Sequence, residues 1–230
     1  EIFYNDPAGT GLEFIELHNL NGSSGVALDG VVIDRGITAT IGAKKVLAPG
    51  GYGVVVSSVE LFQLTYPEMS AAVVGTFTGK LANNGEELRI LGADGLEIAR
   101  FEFDDSGDWP GRADGQGSSA ELKLDAPIPV DRLERRTFLS DGDNWRPSSE
   151  FGGSPGRAGL GPDNRIVINE VLANVTGSRK DQIELFNTTA ESLDISGWLL
   201  SDQNTQYDKF TVPAGTVMAP GAFLVFDASQ

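Results

Sequence analysis

The chain has 230 residues, no cysteine, 33 acidic against 17 basic side chains and a formal net charge of −16. Without cysteine there are no disulfides, no thiolate catalysis and no Cys-based zinc sites. The acidity argues against nucleic acid and anionic membrane surfaces, because phosphate binding needs a basic stripe that releases counterions, and no apolar run is long enough for membrane insertion as a spanning helix.

Read in order, the residues predict short strands separated by turns. Glu1-Ile2-Phe3-Tyr4 already reads as strand, so the chain is expected to be part of a longer protein. Phe14, Glu16 and His18 alternate with Ile15, Leu17 and Asn19, the period-two pattern of a half-buried strand. Pro49-Gly50-Gly51 predicts a type II turn before the strongly β-forming residues 52–56. Ser57-Ser58-Val59-Glu60 reads as a capping box opening a short helix, with Leu61, Phe62 and Leu64 as its buried stripe and Pro67 as its stop. Leu88, Ile90 and Leu91 then form a strand. The Ala93-Asp94-Gly95 turn joins it to Ile98, Phe101 and Phe103 as a hairpin.

Residues 104–165 read as loop-rich, apart from the alternating stretch 120–124, and residues 152–162 read as a Gly/Pro linker that gives a hinge. Trp109 and Trp145 are expected to pin the loops to the core, and with Tyr4 and Tyr66 they are also the candidates for a sugar-binding platform. The densest oxygen donors are Asp104, Asp105 and Asp108 in one loop and Asp141 and Asp143 in another. These five are the candidate ligands for calcium, which takes 6–8 oxygens, although neither loop has the EF-hand spacing.

After the linker the pattern returns. Glu-Phe-Ile-Glu-Leu-His-Asn at 13–19 recurs as Asp-Gln-Ile-Glu-Leu-Phe-Asn at 181–187. Leu28-Asp29-Gly30-Val31 recurs as Ile195-Ser196-Gly197-Trp198, and Ala48-Pro49-Gly50-Gly51-Tyr52 as Ala219-Pro220-Gly221-Ala222-Phe223. Glu1-Ile2 matches Glu170-Val171. The order is kept at a nearly constant offset, which divides the chain into residues 1–160 and a shorter copy, 163–230. Both parts are acidic. Glu16 and Glu184, with Asn19 and Asn187, are expected to close turns and satisfy backbone groups at sheet edges. His18 is the only histidine, so a Ser-His-Asp arrangement would have to use it; the copy has Phe186 in its place, which reads as a packing or surface position, and no catalytic role is assigned to it.

These residues resemble the lamin-tail domain. The second copy carries the run Asn169-Glu170-Val171, Ile183-Glu184-Leu185-Phe186-Asn187, Ile195-Ser196-Gly197-Trp198, Pro213-Ala214-Gly215-Thr216 and Ala219-Pro220-Gly221. The first resembles a longer bacterial version, marked by Tyr66-Pro67, Leu81-Ala82-Asn83-Asn84-Gly85-Glu86 and Trp145, but it has Gly30-Val31 for Gly-Trp and Thr40-Ile41-Gly42-Ala43 for Pro-Ala-Gly-Thr. The resemblance implies an all-β chain of tandem immunoglobulin-like β-sandwiches. It implies a non-catalytic adhesion, scaffolding or protein-interaction module of a secreted or cell-surface bacterial protein. Alternatives are a substrate-targeting accessory to a larger enzyme (a nuclease or CotH-like kinase) and a calcium- or carbohydrate-binding module. The partner, protein or glycan, is not named by the residues. The second copy stops short of strands matching residues 86–91, 97–103 and 120–124 of the first. Its open edge is expected to be covered by another molecule through self-association, by a swapped strand or by the first copy.

Overall fold

The computed structural model describes all residues except 174–179, 204–205 and 228–230, and the chain divides into unit 1, Glu1–Gly161, and unit 2, Pro162–Gln230. In unit 1 the strands are β1 (Ile2–Phe3), β2 (Phe14–His18), β3 (Val26–Ala27), β4 (Val32–Asp34), β5 (Thr38–Thr40), β6 (Val46–Leu47) and β7 (Tyr52–Val56). Helix α1 (Val59–Thr65) follows, then a 3-10 turn (Pro67–Ala72), β8 (Val73–Thr78), β9 (Glu86–Leu91), β10 (Glu97–Phe103), β11 (Ala120–Leu122), α2 (Arg132–Leu139) and β12 (Trp145–Pro147).

Ten of these strands form one continuous curled sheet, ordered β10-β9-β4-β5-β8-β7-β2-β1-β11-β12. The sequence leads one to expect two separate facing sheets. The difference lies in β8, whose first half pairs in parallel with β7 (Val54↔Val73, Val55↔Gly75) while its end pairs with β5 (Thr38↔Thr78, Ala39↔Phe77). A strand that changes partners along its length joins the two layers at a corner. The curl encloses one core, in which Ile2, Ile15 and Val55 face Ile33, Leu88 and Phe101.

The opposite face of β1-β2-β7 is also covered. Phe3, Phe14, Val54 and Val56 pack under Leu12 and Phe62, with Tyr66 and Met69 at the margin. The cap of α1 is Ser58, whose hydroxyl accepts from the Leu61 N–H at 3.2 Å. Ser57, expected to be the cap, instead donates to the Gly11 carbonyl and accepts from the Glu13 N–H. Phe62 is buried as expected, but Leu64 is 80% exposed. Two residues beyond Phe62, Leu64 lies about 200° around the helix from it and faces water. Helix α2 lies in the stretch read as loop. Asp131 caps it by accepting from Leu133 and Glu134 N–H groups.

Unit 2 contains β13 (Ile166–Leu172), β14 (Gln182–Asn187), β15 (Leu193–Asp194), β16 (Leu199–Leu200), β17 (Phe210–Thr211), β18 (Val217–Met218) and β19 (Phe223–Asp227). They pair as β13-β14-β19, β15-β18 and β16-β17 around Ile166, Leu185, Leu193, Ile195, Val212, Met218 and Phe226. On the core side of β13, Ile168 and Val171 are 62% and 59% exposed.

The same hydrogen bonds recur in each unit. Ile2↔Ile15 and Ile15↔Val55 correspond to Val171↔Ile183 and Ile183↔Phe226. Val32↔Thr40 corresponds to Leu199↔Thr211, and Val26↔Leu47 to Leu193↔Met218. The Asn19 amide shares its hydrogens among the Ser24, Leu47 and Ala48 carbonyls and accepts from the Asn21 N–H. Asn187 makes the same set with Glu191, Met218, Ala219 and the Thr189 N–H. The Pro-Gly turns agree as well: Gly50 and Gly221 have φ of 65° and 63°, the left-handed conformation the turn requires.

Candidate functional site

Of the aromatic candidates for a sugar platform, Trp145 and Tyr4 are buried in the core, and Trp109 and Tyr66 pack half-buried against it. Trp145 is 5% exposed, and its indole N–H donates to the Leu139 carbonyl at 2.9 Å. It stacks between Phe101 and Trp109, with centroids 5.7 and 5.4 Å away. Trp109 meets the edge of Phe103, which lies 5.0 Å from buried Tyr4. Tyr66 stands edge-on to Phe14 and donates its hydroxyl to the Gly152 carbonyl. Burial of large aromatic area explains the arrangement.

The two acidic loops do meet. A side chain at Gly142 would collide with the Asp108 and Trp109 backbone at 2.6 Å, so only glycine allows the loops to approach this closely. Their carboxylates, however, serve local turns. Asp104 accepts from the Ser106 N–H and hydroxyl, and the hydroxyl bond holds its carboxyl below the usual range. Desolvation, then a hydrogen bond with Asp104, pushes Asp105 up. Asp141 accepts from the Asp143 N–H, while Asp143 offers its backbone carbonyl to Lys123. Asp108 and Asp143 are exposed. Among the described residues no group of three or more His, Cys, Asp or Glu side chains is placed to hold a metal ion. The five aspartates are thus adjacent in space without converging on a point.

His18 stacks on its cross-strand neighbour Tyr52 at 4.1 Å, and burial lowers its pKa. The equivalent pair in unit 2, Phe186 and Phe223, stacks at 4.4 Å. Imidazole here substitutes for a benzene ring in a packing role. An open groove of about 420 Å³ lies beside Asp29, Val31, Ala93, Asp94, Leu96 and Ile98. Asp29 and Asp94 already accept from the Lys45 and Leu96 N–H groups.

The most elaborate polar site was not assigned from the sequence. Residues 152–156, read as linker, form a strap held to the outer face of β1-β2 by three glutamates. Glu1 accepts from the Ser119 hydroxyl at 2.6 Å and from the Ser154 N–H at 2.8 Å. Glu16 accepts from the Gly156 N–H at 2.5 Å. Glu121 accepts from Ser154 and pairs with Arg146 at 3.0 Å. Glycine is obligatory at 153: its φ is +87°, and a Cβ would stand 2.3 Å from the Glu1 carboxylate. Desolvation pushes Glu16 up to about 8, with the Glu1 and Glu121 carboxylates adding to the rise; the Glu1 amino group and the Gly156 N–H oppose it. The signal for this site was present in the repeat, where Glu1 and Glu16 recur as Glu170 and Glu184, but nothing in the spacing revealed what would lie over them.

In unit 2 the corresponding outer face is open among the described residues. Its rows are Val167, Phe186 and Phe223; Glu170, Glu184 and Val225; and Leu172, Gln182 and Asp227. Phe223 and Val225 are 55% and 46% exposed. Glu184 accepts from the Asn169 amide, and Gln182 donates to Asp227.

No curated protein and no solved structure matches the chain. Its C-terminal part does match a family: residues 161–230 fit the model of the Lamin Tail Domain, whose fold is immunoglobulin-like.

Proposed function

We propose that the chain is a non-catalytic interaction module, adhesive or scaffolding, of a secreted or cell-surface bacterial protein. In this reading unit 1 is a longer relative of the lamin-tail-type unit 2, so that the chain holds two immunoglobulin-like modules in tandem. The shared registers and the matched Asn19 and Asn187 networks support the second point. The observation that carries the first is the open sheet face of unit 2, where Phe223 and Val225 lie exposed beside Glu170 and Glu184. Contiguous apolar surface with a polar surround marks interaction sites on soluble proteins.

A photo-crosslinker at position 225 of the parent protein, in its own cells, tests this reading, with one at position 134 of unit 1 as control. Adducts formed from 225 and suppressed by excess unmodified chain are expected; adducts that excess chain does not suppress, or none, refute it. An adduct between two copies would identify self-association as the mode. The second reading, an accessory that targets a larger enzyme, rests on the same surface and predicts an adduct with that enzyme's substrate.

A further inference from the structure

We infer that the open face of unit 2 binds an extended glycine- and serine-rich segment of a partner protein, chemically like the strap that unit 1 carries over its equivalent face. This rests on the reading of that face as an interaction surface and specifies what it recognises.

The two faces share a grid of positions. Glu1, just before β1, lies beside Glu16, whose N–H donates to the Glu1 carbonyl at 2.8 Å, and Glu16 faces Val54, as Glu170, Glu184 and Val225 lie side by side across β13, β14 and β19. In unit 1 the two carboxylates take the Ser154 N–H, the Ser154 hydroxyl and the Gly156 N–H, so the strap is read through backbone donors and one hydroxyl. Close approach is the second requirement. Gly152, Gly153 and Gly156 all have φ near +86°, and a Cβ on any of them would lie within 3 Å of Tyr66, Glu1 or Ala72. Carboxylates at this spacing on a sheet face therefore select chains that are thin, positive in φ and rich in N–H and O–H donors. Bulky or acidic segments are excluded by contact and by charge.

Unit 2 keeps the two carboxylates and the adjacent valine. It differs at the far row, where Gln182 and Asp227 replace Phe14 and Val56. That row in unit 1 lies beneath α1, so unit 2 has no apolar seat for such a helix. The stacked Phe186 and Phe223 at the opposite row add apolar surface on which a proline could pack, as Pro155 is buried in the strap of unit 1. Hydrogen bonds from uncharged donors to carboxylates exceed neutral ones in strength, which suits a segment with few side chains.

The test is a nitrogen-15 NMR titration of the full chain with a blocked peptide of the sequence Ser-Glu-Phe-Gly-Gly-Ser-Pro-Gly-Arg-Ala-Gly-Leu. Saturable shifts are expected in β13, β14 and β19, abolished in the chain with Glu170→Ala and Glu184→Ala. They should also fail with a peptide whose second glycine and serine are both alanine. A lack of saturable shifts overturns the inference. So do shifts that survive the two alanine substitutions, or shifts confined to unit 1. Failure here with competed crosslinks at position 225 would leave the interaction surface standing and refute only its glycine–serine specificity.

Discussion

Glu16 gives the clearest quantitative test of how unit 1 is built. Its carboxyl is 9% exposed and its pKa rises from 4.5 to about 8. The folded state therefore binds more protons than the unfolded state between these values. Stability is greatest below pH 4.5, falls as pH rises through about 8, and is then flat with respect to this group. Each pKa unit corresponds to about 1.4 kcal/mol, so the shift sets a ceiling near 5 kcal/mol. Coupling to Glu1 and Glu121 lowers the expected figure to roughly 2–4 kcal/mol. His18 acts with the opposite sign, because burial lowers its pKa and stability rises as it loses its proton. Glu13, also raised by burial, acts in the same direction as Glu16. The difference between the native chain and Glu16→Gln cancels both. The amide can still accept from the Gly156 N–H, so the variant should be more stable at pH 8 by roughly 2–4 kcal/mol and nearly equal at pH 4.5. Urea unfolding followed by the fluorescence of the stacked Trp109–Trp145 pair measures it. An unchanged pH slope in the variant, or a variant less stable at pH 8, would refute the reasoning.

Three further outcomes follow from the packing. Trp145→Ala removes a ring stacked on two neighbours and should cost about 3–5 kcal/mol in urea unfolding, with no separate surface activity to lose. Asn187→Ala leaves the Glu191, Met218 and Ala219 carbonyls short of a donor and should cost roughly 2–3 kcal/mol, read from the Trp198 fluorescence of unit 2. Because no group of three or more His, Cys, Asp or Glu side chains among the described residues is placed to hold a metal ion, thermal melts in millimolar calcium and in chelator should superimpose; a calcium-dependent rise in Tm would restore the Asp104–Asp108 and Asp141–Asp143 loops as a site.

What the sequence showed depended on whether a feature was local. The alternation of Phe14 to Asn19, the Asp94-Gly95 hairpin and the two Pro-Gly turns are fixed by neighbours in the chain, and each appears in the structure. Helix α2 was missed, read as loop although Asp131 and Glu134 stand at capping-box spacing, because the apolar stripe behind them is weak: Leu133 is 73% exposed and Leu139 alone is buried. The change of partner along β8 could not be read, because strand order is a long-range property and a parallel β7–β8 pair looks locally like an antiparallel one. The strap was missed for a different reason. Gly152, Gly153 and Gly156 suggest flexibility by composition, yet here each glycine is needed because a neighbour fills the space a Cβ would take.

On the proposed reading of unit 1 as a longer relative of unit 2, the pair separates what makes the fold from what it displays. The asparagine at the end of the second strand makes the same hydrogen bonds in both, down to the three carbonyls each amide serves, and the inward positions stay apolar, Ile2, Ile15 and Val55 against Val171, Ile183 and Phe226. The outward residues differ freely: His18 and Tyr52 against two phenylalanines, Phe14 and Val56 against Gln182 and Asp227. The middle row is the exception, with Glu16 and Glu184 outward, identical and flanked by Glu1 and Glu170 on one side and by Val54 and Val225 on the other. In unit 1 that position carries a destabilised carboxyl under a glycine strap, an arrangement whose cost in desolvation a hydrophobic pair would avoid. An acid retained on an outer face, expensive where covered and accessible where open, is accounted for by the donors it gathers. That is the reason to look for the partner of unit 2 among segments rich in backbone N–H and hydroxyl groups.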